Sequence, residues 1–509
     1  MNRKEFKITE FMMKTTMAAF LLLVAISCSQ ENESGVLTGD LHIGNVTVGA
    51  SNASGPYRMI TFDIDWAYSW RSSELPDNWD AAWVFVKYQV NGGEWKHATL
   101  STVSQEHHSP SGATIDSVPD GKGVFIYRSE YGTGEFSASG VSLRWNCGLD
   151  GVADNATVSV RVFGLEMVYI PQGSFYAGDN GTSYAGLTKG SSDARPWHIT
   201  SEDAIEVTNT AADGYFYTSS KDFDINPFNV NENETGAEFT IPADFPKGFR
   251  AIYCMKYELT QQQYVDFLNT VNATQASNRY DSDNYNQWGY TISESNGVYS
   301  TDHPYRACGF LCPADSFAYA DWAGLRPMSE LEYEKICRGS GNPPVNGEYA
   351  WGSTYCRNAE GVNGDESDRS HLTSIGANGY YLNEINEPQF ALNAGIFFEV
   401  GKSRERCGAS FYGVLEMSGN LGEPCVSIGN QYGRVFSYRN GDGKLSIDGF
   451  VDESNWPLRD GRGAGIKGGN LGWEMHEMRV SERLDATMDI DSDHRHMPIG
   501  FRAVRTVSY

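Results

Sequence analysis

The chain has 509 residues, with 39 Lys+Arg against 65 Asp+Glu and a formal charge of −26, a length that calls for two or three domains. So acidic a surface excludes nucleic acid as a partner, because phosphate binding needs clustered cations; it disfavours adsorption to anionic headgroups and permits divalent cations or uncharged glycans. Apolar residues at 40% and 54 glycines fit neither a disordered acidic chain nor a coiled coil, and past the first 30 positions no apolar run is long enough to span a bilayer.

In chain order, Thr15 to Ser27 form a short apolar stretch preceded by Arg3, Lys4, Lys7 and Lys14, which reads as an export signal. It ends Leu23-Val24-Ala25-Ile26-Ser27-Cys28. A small residue directly before a cysteine is similar to a bacterial lipobox, in which Cys28 would be lipidated and become the new N-terminus. A plain secretory signal with an incidental cysteine is the alternative. Residues 29–40 are polar enough for a tether. Eight further cysteines (Cys147, Cys254, Cys308, Cys312, Cys337, Cys356, Cys407 and Cys425) allow 105 pairings, among which sequence does not choose. The Cys308–Cys312 spacing suits a redox pair or metal clip, but a local disulfide or two buried thiols is the better reading.

From 41 to 163 the pattern is strand-like. Ile60, Phe62, Ile64, Trp66, Tyr68 and Trp70 alternate with polar or small partners, and Val84, Val86, Tyr88 and Val90 repeat the period of two before a turn at Asn91-Gly92-Gly93. Val124–Tyr127, Val141–Trp145 and Thr157–Phe163 add three strands, and the whole predicts an all-β sandwich domain. Its Trp66, Trp70, Trp79, Trp83 and Trp95 read as core more than as a sugar-stacking platform. His107-His108 sits in a Ser/Pro/Gly loop and reads as solvated. From 164 to 509 helices are few. Thr260–Asn269 opens on an N-cap candidate. Ala314–Ala323 follows, and Ser329–Arg338 starts on a capping box and stops at Gly339. The remainder is glycine-rich loop and short strand, an α+β pattern.

Ordered motifs then carry a resemblance. Met167-Val168-Tyr169-Ile170-Pro171-Gln172-Gly173-Ser174-Phe175, Tyr257-Glu258-Leu259-Thr260-Gln261-Gln262-Gln263-Tyr264, Gly324-Leu325-Arg326-Pro327-Met328-Ser329-Glu330-Leu331-Glu332-Tyr333-Glu334, Tyr349-Ala350-Trp351-Gly352, Tyr412-Gly413-Val414-Leu415-Glu416-Met417-Ser418-Gly419-Asn420, Lys467-Gly468-Gly469-Asn470 with Arg479-Val480-Ser481, and Gly500-Phe501-Arg502 occur in that order. Together they resemble the formylglycine-generating enzyme (sulfatase-modifying factor) family, and the preceding sandwich is similar to the N-terminal module of Bacteroidetes-type members. The resemblance implies a C-type-lectin-like fold after the sandwich.

It also implies what the chain lacks. The family's oxidase holds copper(I) on two cysteines, and soft thiolates are what that ion needs. Those positions fall on Trp473 and Met478, and the family's neighbouring serine on Asn470. Copper is therefore not expected. The resemblance implies structural calcium instead, held by Glu416, the carbonyls of Gly419 and Leu421, and Glu423, with Asn358 and the Ala359 carbonyl as part of a second site; calcium wants several oxygens. His494-Arg495-His496 is a weaker metal hint that a solvated loop explains better. The candidate ligand-binding surface is Asn470, Trp473, Glu474, His476, Met478 and Arg479, where an aromatic face meets hydrogen-bonding groups.

The sequence thus reads as a bacterial envelope protein, an outer-membrane lipoprotein anchored through Cys28. A sandwich spacer precedes a sulfatase-modifying-factor-like module that binds a glycan or protein without catalysis. The alternative is a formylglycine-generating oxidase, or another metal-dependent oxidoreductase, with a relocated site built from pairs such as Cys308/Cys312 or Cys407/Cys425.

Overall fold

Alternating apolar side chains in the first half build two facing sheets, and one of them continues into the second half. The computed structural model describes residues 41–507, apart from 53–54, 191–194, 209–212, 218–236, 361, 364–371, 374–375, 383–388, 458–460 and 487–494. The export signal, Cys28 and His494 lie outside the described residues. A three-stranded antiparallel sheet joins β1 (His42–Val48), β2 (Arg58–Arg71) and β6 (Gly132–Trp145) in the order β1-β2-β6. Facing it are β3 (Asp80–Val90), β4 (Ala113–Ser117), β5 (Val124–Arg128) and β7 (Val158–Ile170). The predicted turn after β3 has positive φ at both Asn91 and Gly92, which suits a two-residue hairpin whose twist matches its strands. It returns Lys96–His97 alongside β3.

The second half supplies β8 (Ile252–Met255), helices α1 (Gln261–Leu268), α2 (Ala273–Arg279) and α3 (Pro313–Trp322), then β9 (Arg326–Pro327), α4 (Glu330–Arg338), the pair β10 (Glu423–Val426) and β11 (Ala464–Lys467), and β12 (Ala503–Thr506). All three predicted helices are present within a residue or two of their expected ends. Thr260 and Ser329 cap α1 and α4 through reciprocal bonds with Gln263 and Glu332. Helix α2 was not anticipated: Ala-Thr-Gln-Ala-Ser-Asn-Arg has no apolar period, and its capping box, Asn272 with Gln275, is what closes it.

The expected boundary at 163/164 falls inside β7. That strand pairs along the full length of β3, from Asp80↔Val168 to Val90↔Val158, and its last residues pair with β8, Cys254↔Val168 and Ile252↔Ile170. One eight-stranded sheet therefore runs β9-β12-β8-β7-β3-β5-β4, with Lys96–His97 beside β3, and Thr38–Tyr509 forms a single compact unit. Strand β3 is buried on both faces. Ala82, Val84 and Val86 face the sandwich core with Ile60, Phe62, Ile64 and Trp145. Ala81, Trp83 and Phe85 instead join the core of the second half with Phe267, Trp322 and Phe501. Period two with apolar residues at both parities marks a strand covered on both sides. Buried polar ties reinforce the junction: Trp83 Nε1 donates to the Ala323 carbonyl at 2.8 Å, and Lys256, fully buried, lies 2.8 Å from Glu166 and 3.3 Å from Asp80. Of the five tryptophans, Trp66 and Trp83 are core. His107 is buried and bonded to Ser101 and Arg144 rather than solvated.

Candidate functional site

The turn from β8 into α1 sets Glu258 just before the Thr260 cap, so its side chain enters the interior of the second half. There Glu258 accepts from the Leu421 amide at 2.9 Å and from the Asn420 side chain. The loop that supplies these donors is tightly wound: Glu416, Gly419 and Asn420 all adopt positive φ, at 51°, 91° and 64°. A glutamate in that region is uncommon, and such backbone persists only when its surroundings over-determine it. Glu416 accepts from the Gly395 amide at 2.9 Å. Glu423, at the start of β10, meets Arg502 at 2.7 Å, and Arg502 also donates to the carbonyls of Met255 and Leu415. All four charged side chains are buried.

Three carboxylates thus face one guanidinium. Burial pushes Glu258 well above the usual carboxylate range, helped by the charge of Glu416, and raises Glu416 to about 7 and Glu423 above its ordinary value, with Arg502 opposing each. One oxygen each of Glu416 and Glu423 is sealed from solvent with no hydrogen-bond partner. If all three acids ionise, the nest carries two negative charges in excess, which protons or one divalent cation would balance. Hard carboxylate oxygens left unpaired suit calcium. Of the residues expected from sequence, Glu416, Gly419, Leu421 and Glu423 therefore share one loop. Glu258 and Arg502 were missed as site residues although both stand in the quoted motifs; the available signal was a charged residue inside an otherwise apolar block. The Asn358 amide is closed on Tyr381, donating to its carbonyl and accepting from its N–H at 3.0 Å each, and the Ala359 N–H is bonded to the Gly379 carbonyl. Among the described residues, the three carboxylates drawn within 4.8 Å of one another are Asp321, Asp442 and Asp452, which no sequence spacing announces. Asp321 already accepts from the amides of Asp442 and Asp452.

The 470–479 loop lies against the nest. Met478 is wholly buried with Tyr349 and Trp351; its sulfur sits 2.7 Å from where a Cβ on Gly419 would be, and the Ser418 hydroxyl donates to its carbonyl. Asn470 is also fully buried, its oxygen accepting from Gly472. Neither can face an external ligand, which corrects their place in the predicted surface. Trp473 is half-buried against Ile466 and Ile499. Glu474 is exposed, with its carboxylate 3.3 Å from His476, which also meets Tyr184 edge-on. Arg479 is half-buried beside Tyr349, and Arg483 behind it is consumed by Glu330 at 2.6 Å. The part of the predicted surface that is not wholly buried is thus Trp473, Glu474, His476 and Arg479, with Glu474 the one exposed.

All eight described cysteines are unbonded. Cys308 and Cys312 donate to the Gly309 carbonyl and to Asp315, and Cys407 and Cys425 to the carbonyls of Glu399 and Glu423. Burial pushes every one of these thiols up, away from the thiolate that binds metal or attacks.

A β-rich, loop-dominated module with a capped helix pair, a buried carboxylate nest and the closing Arg502 defines the class of scaffold. The model of the sulfatase-modifying factor enzyme 1-like domain matches residues 156–507, and the chain belongs to that family. The matched region begins at the edge of β7. No curated protein matches the chain.

Proposed function

We propose that this family member is an exported, non-catalytic binding protein. Its module takes the C-type-lectin-like fold, its nest holds structural calcium, and its exposed loop at Trp473, Glu474, His476 and Arg479 meets a glycan or protein ligand. The observation that carries the reading is the filling of the metal position. Where the family resemblance calls for two thiolates, the chain places Trp473 and Met478, and Met478 is packed shut between Tyr349, Trp351 and Gly419. Copper(I) selects soft thiolates and thioethers; Cys356 packs against the same cluster as Met478, but burial pushes its thiol up to about 12, and the other described thiols are likewise pushed up by burial. The lipobox reading of Cys28 puts the protein on a bacterial membrane, the outer one; among the described residues no helix is long and apolar enough to cross a membrane. The test is metal content by mass spectrometry on the chain lacking residues 1–28, loaded separately with copper(I), iron(II) and calcium and then dialysed. Calcium near one per chain without retained copper or iron is expected. Copper at one per chain would overturn the reading in favour of an oxidase acting on a sulfatase cysteine.

A further inference from the structure

Away from the nest, a cavity of about 210 Å³ opens where β7 and β3 meet α1 and α3. Leu41, just before β1, Ile43 within it, and Val162 and Phe163 of β7 line it and are only half-buried, so the fold leaves part of their apolar surface uncovered. From α1 come Gln263 and Asp266, three residues apart and so on one face of the helix. A second cavity of about 160 Å³ shares Leu41, Gly164, Gln263 and Asp266 and continues past Tyr257 and Tyr305. Asp266 thus stands where the two cavities join. It is the one carboxylate in the lining of the first, which holds no Lys, Arg or His. In the second the other carboxylate, Glu166, is held by Lys256 at 2.8 Å. One Asp266 oxygen accepts from Gln262 at 3.0 Å. The other has no hydrogen-bond partner and, unlike the sealed oxygens of Glu416 and Glu423, is open to water. Arg161, whose charge is felt at Asp266, stacks over the Trp95 ring at 4.9 Å instead of pairing with it.

Burial raises Asp266 to about 6, against the hydrogen bond from Gln262 and the charge of Arg161, so at neutral pH a largely desolvated carboxylate faces an apolar wall. A buried charge is stable when it is paired. The occupant must therefore bring a positive charge to one carboxylate oxygen and apolar length to Leu41, Ile43, Val162 and Phe163. An anion is repelled by Asp266 and Glu166, and a neutral alcohol leaves the charge unbalanced. A guanidinium prefers both oxygens of a carboxylate, and Gln262 already takes one, so the point charge of an ammonium fits better. The volume is below the roughly 300 Å³ at which drug-sized pockets begin, which admits a single unbranched stem. Gln263 spends its oxygen in the cap of α1, which leaves its amide N–H₂ to donate to an acceptor beside that stem.

We infer that this cavity binds a primary ammonium group on an unbranched alkyl stem, with Asp266 as its counter-ion and Leu41, Ile43, Val162 and Phe163 against the stem. A lysine side chain of a protein partner and a free polyamine share that chemistry. The site is separate from the 470–479 loop and does not depend on the reading of that loop.

The experiment is NMR titration of the chain lacking residues 1–28 with hexylamine, 1-hexanol and hexanoate, which share a stem and differ in charge. Hexylamine is expected to bind about tenfold or more tightly than the other two. Asp266→Asn, which keeps the shape of the side chain and removes its charge, should weaken hexylamine about tenfold or more and leave hexanol unchanged, with thermal unfolding confirming that the variant is folded. The unaltered chain carries the same test in its pH profile: the ammonium pairs with the ionised carboxylate, so hexylamine should bind about tenfold more weakly at pH 5 than at pH 7. Titrations with 1,5-diaminopentane and a blocked glycyl-lysyl-glycine peptide separate the two sources. Tighter binding of the peptide assigns the site to a lysine of a protein partner, and tighter binding of the diamine assigns it to a free polyamine. No binding of any amine would overturn the proposal. So would hexanol binding as tightly as hexylamine, or a hexylamine affinity indifferent to both Asp266→Asn and pH.

Discussion

At Met478 the chain fills a buried position with a thioether packed on Tyr349 and Trp351, whereas in the adjoining loop Glu416 and Glu423 each keep a buried oxygen without a partner. The two regions touch through Ser418 and Gly419, yet they are held by different forces. Packing at Met478 is apolar and indifferent to pH or ions. The nest of Glu258, Glu416, Glu423 and Arg502 is polar, and burial pushes its three acids toward the protonated form, so it responds to pH. Filling space leaves no unmet polar demand at Met478, whereas the unpartnered oxygens of Glu416 and Glu423 are what the proposed calcium would satisfy.

The largest expected effect comes from removing the one cation of the nest. Arg502→Met leaves three buried carboxylates facing one another and takes donors from the carbonyls of Met255 and Leu415. Stripping one partner from a buried ion pair costs about 3–5 kcal/mol, to be read as a lower midpoint in denaturant unfolding. A loss under about 1 kcal/mol would mean that the three acids are protonated throughout and the contrast between the regions is false. Next is Met478→Ala, a buried truncation worth about 2–5 kcal/mol. Its cost should be the same with and without calcium. A calcium-dependent cost would merge the two regions into one site.

The pH dependence separates the regions more finely. Glu416 has its folded pKa raised by burial from 4.5 to about 7, so the native state holds a proton more tightly than the unfolded chain does. Stability from this group is full below pH 4.5 and is lost as pH rises toward about 7. Glu258 acts in the same direction, and so do Glu482, at about 7, and Asp485, at about 8, both by burial; the slope alone therefore does not single out the nest. Calcium does. It binds the ionised form, so its protection should grow over the same interval and reach about 2.7 kcal/mol at a hundredfold excess over Kd. Thermal melts across pH 5–8, with and without calcium, check this. Protection that fails to grow with pH would place the ion elsewhere, the Asp321, Asp442 and Asp452 cluster included.

Much of this was legible in the residues. The N-cap candidate Thr260 and the capping box at Ser329 announce α1 and α4 because a helix start needs its amides satisfied locally. The family blocks place Glu416 and Glu423 on one loop. The domain boundary was not legible, because β3 reads as a sandwich strand from Val84, Val86 and Tyr88 while Ala81, Trp83 and Phe85 on its other face bury just as fully. Alternation tells which residues share a face, not what covers it. Glu258 and Arg502 were passed over because they come from opposite ends of the domain and become partners of Asn420 and Glu423, respectively, only once β8 and β12 pair. Met478 and Asn470 were read as surface for a similar reason. Met478 ends a short turn, Met475–Met478, and Asn470 stands in the loop before it, so neither belongs to a segment long enough for any period to show which side faces in.

The smallest change in stability belongs to the exposed rim of the loop. Glu474 has a side chain 76% exposed and is paired with a His476 side chain 27% exposed, an arrangement in which water competes on every side and an ion pair is worth little. Glu474→Gln combined with His476→Ala should therefore shift unfolding by no more than about 0.5 kcal/mol, far below the loss expected at Met478 two residues on. Binding should respond the other way. Their contacts are mostly with each other and with Tyr184, so under the proposed function the double variant should lose retention of a glycan or protein ligand that the unaltered chain retains. Retention unchanged in the double variant, alongside unchanged stability, would leave the half-buried Trp473 and Arg479 as the remaining contacts of the predicted surface.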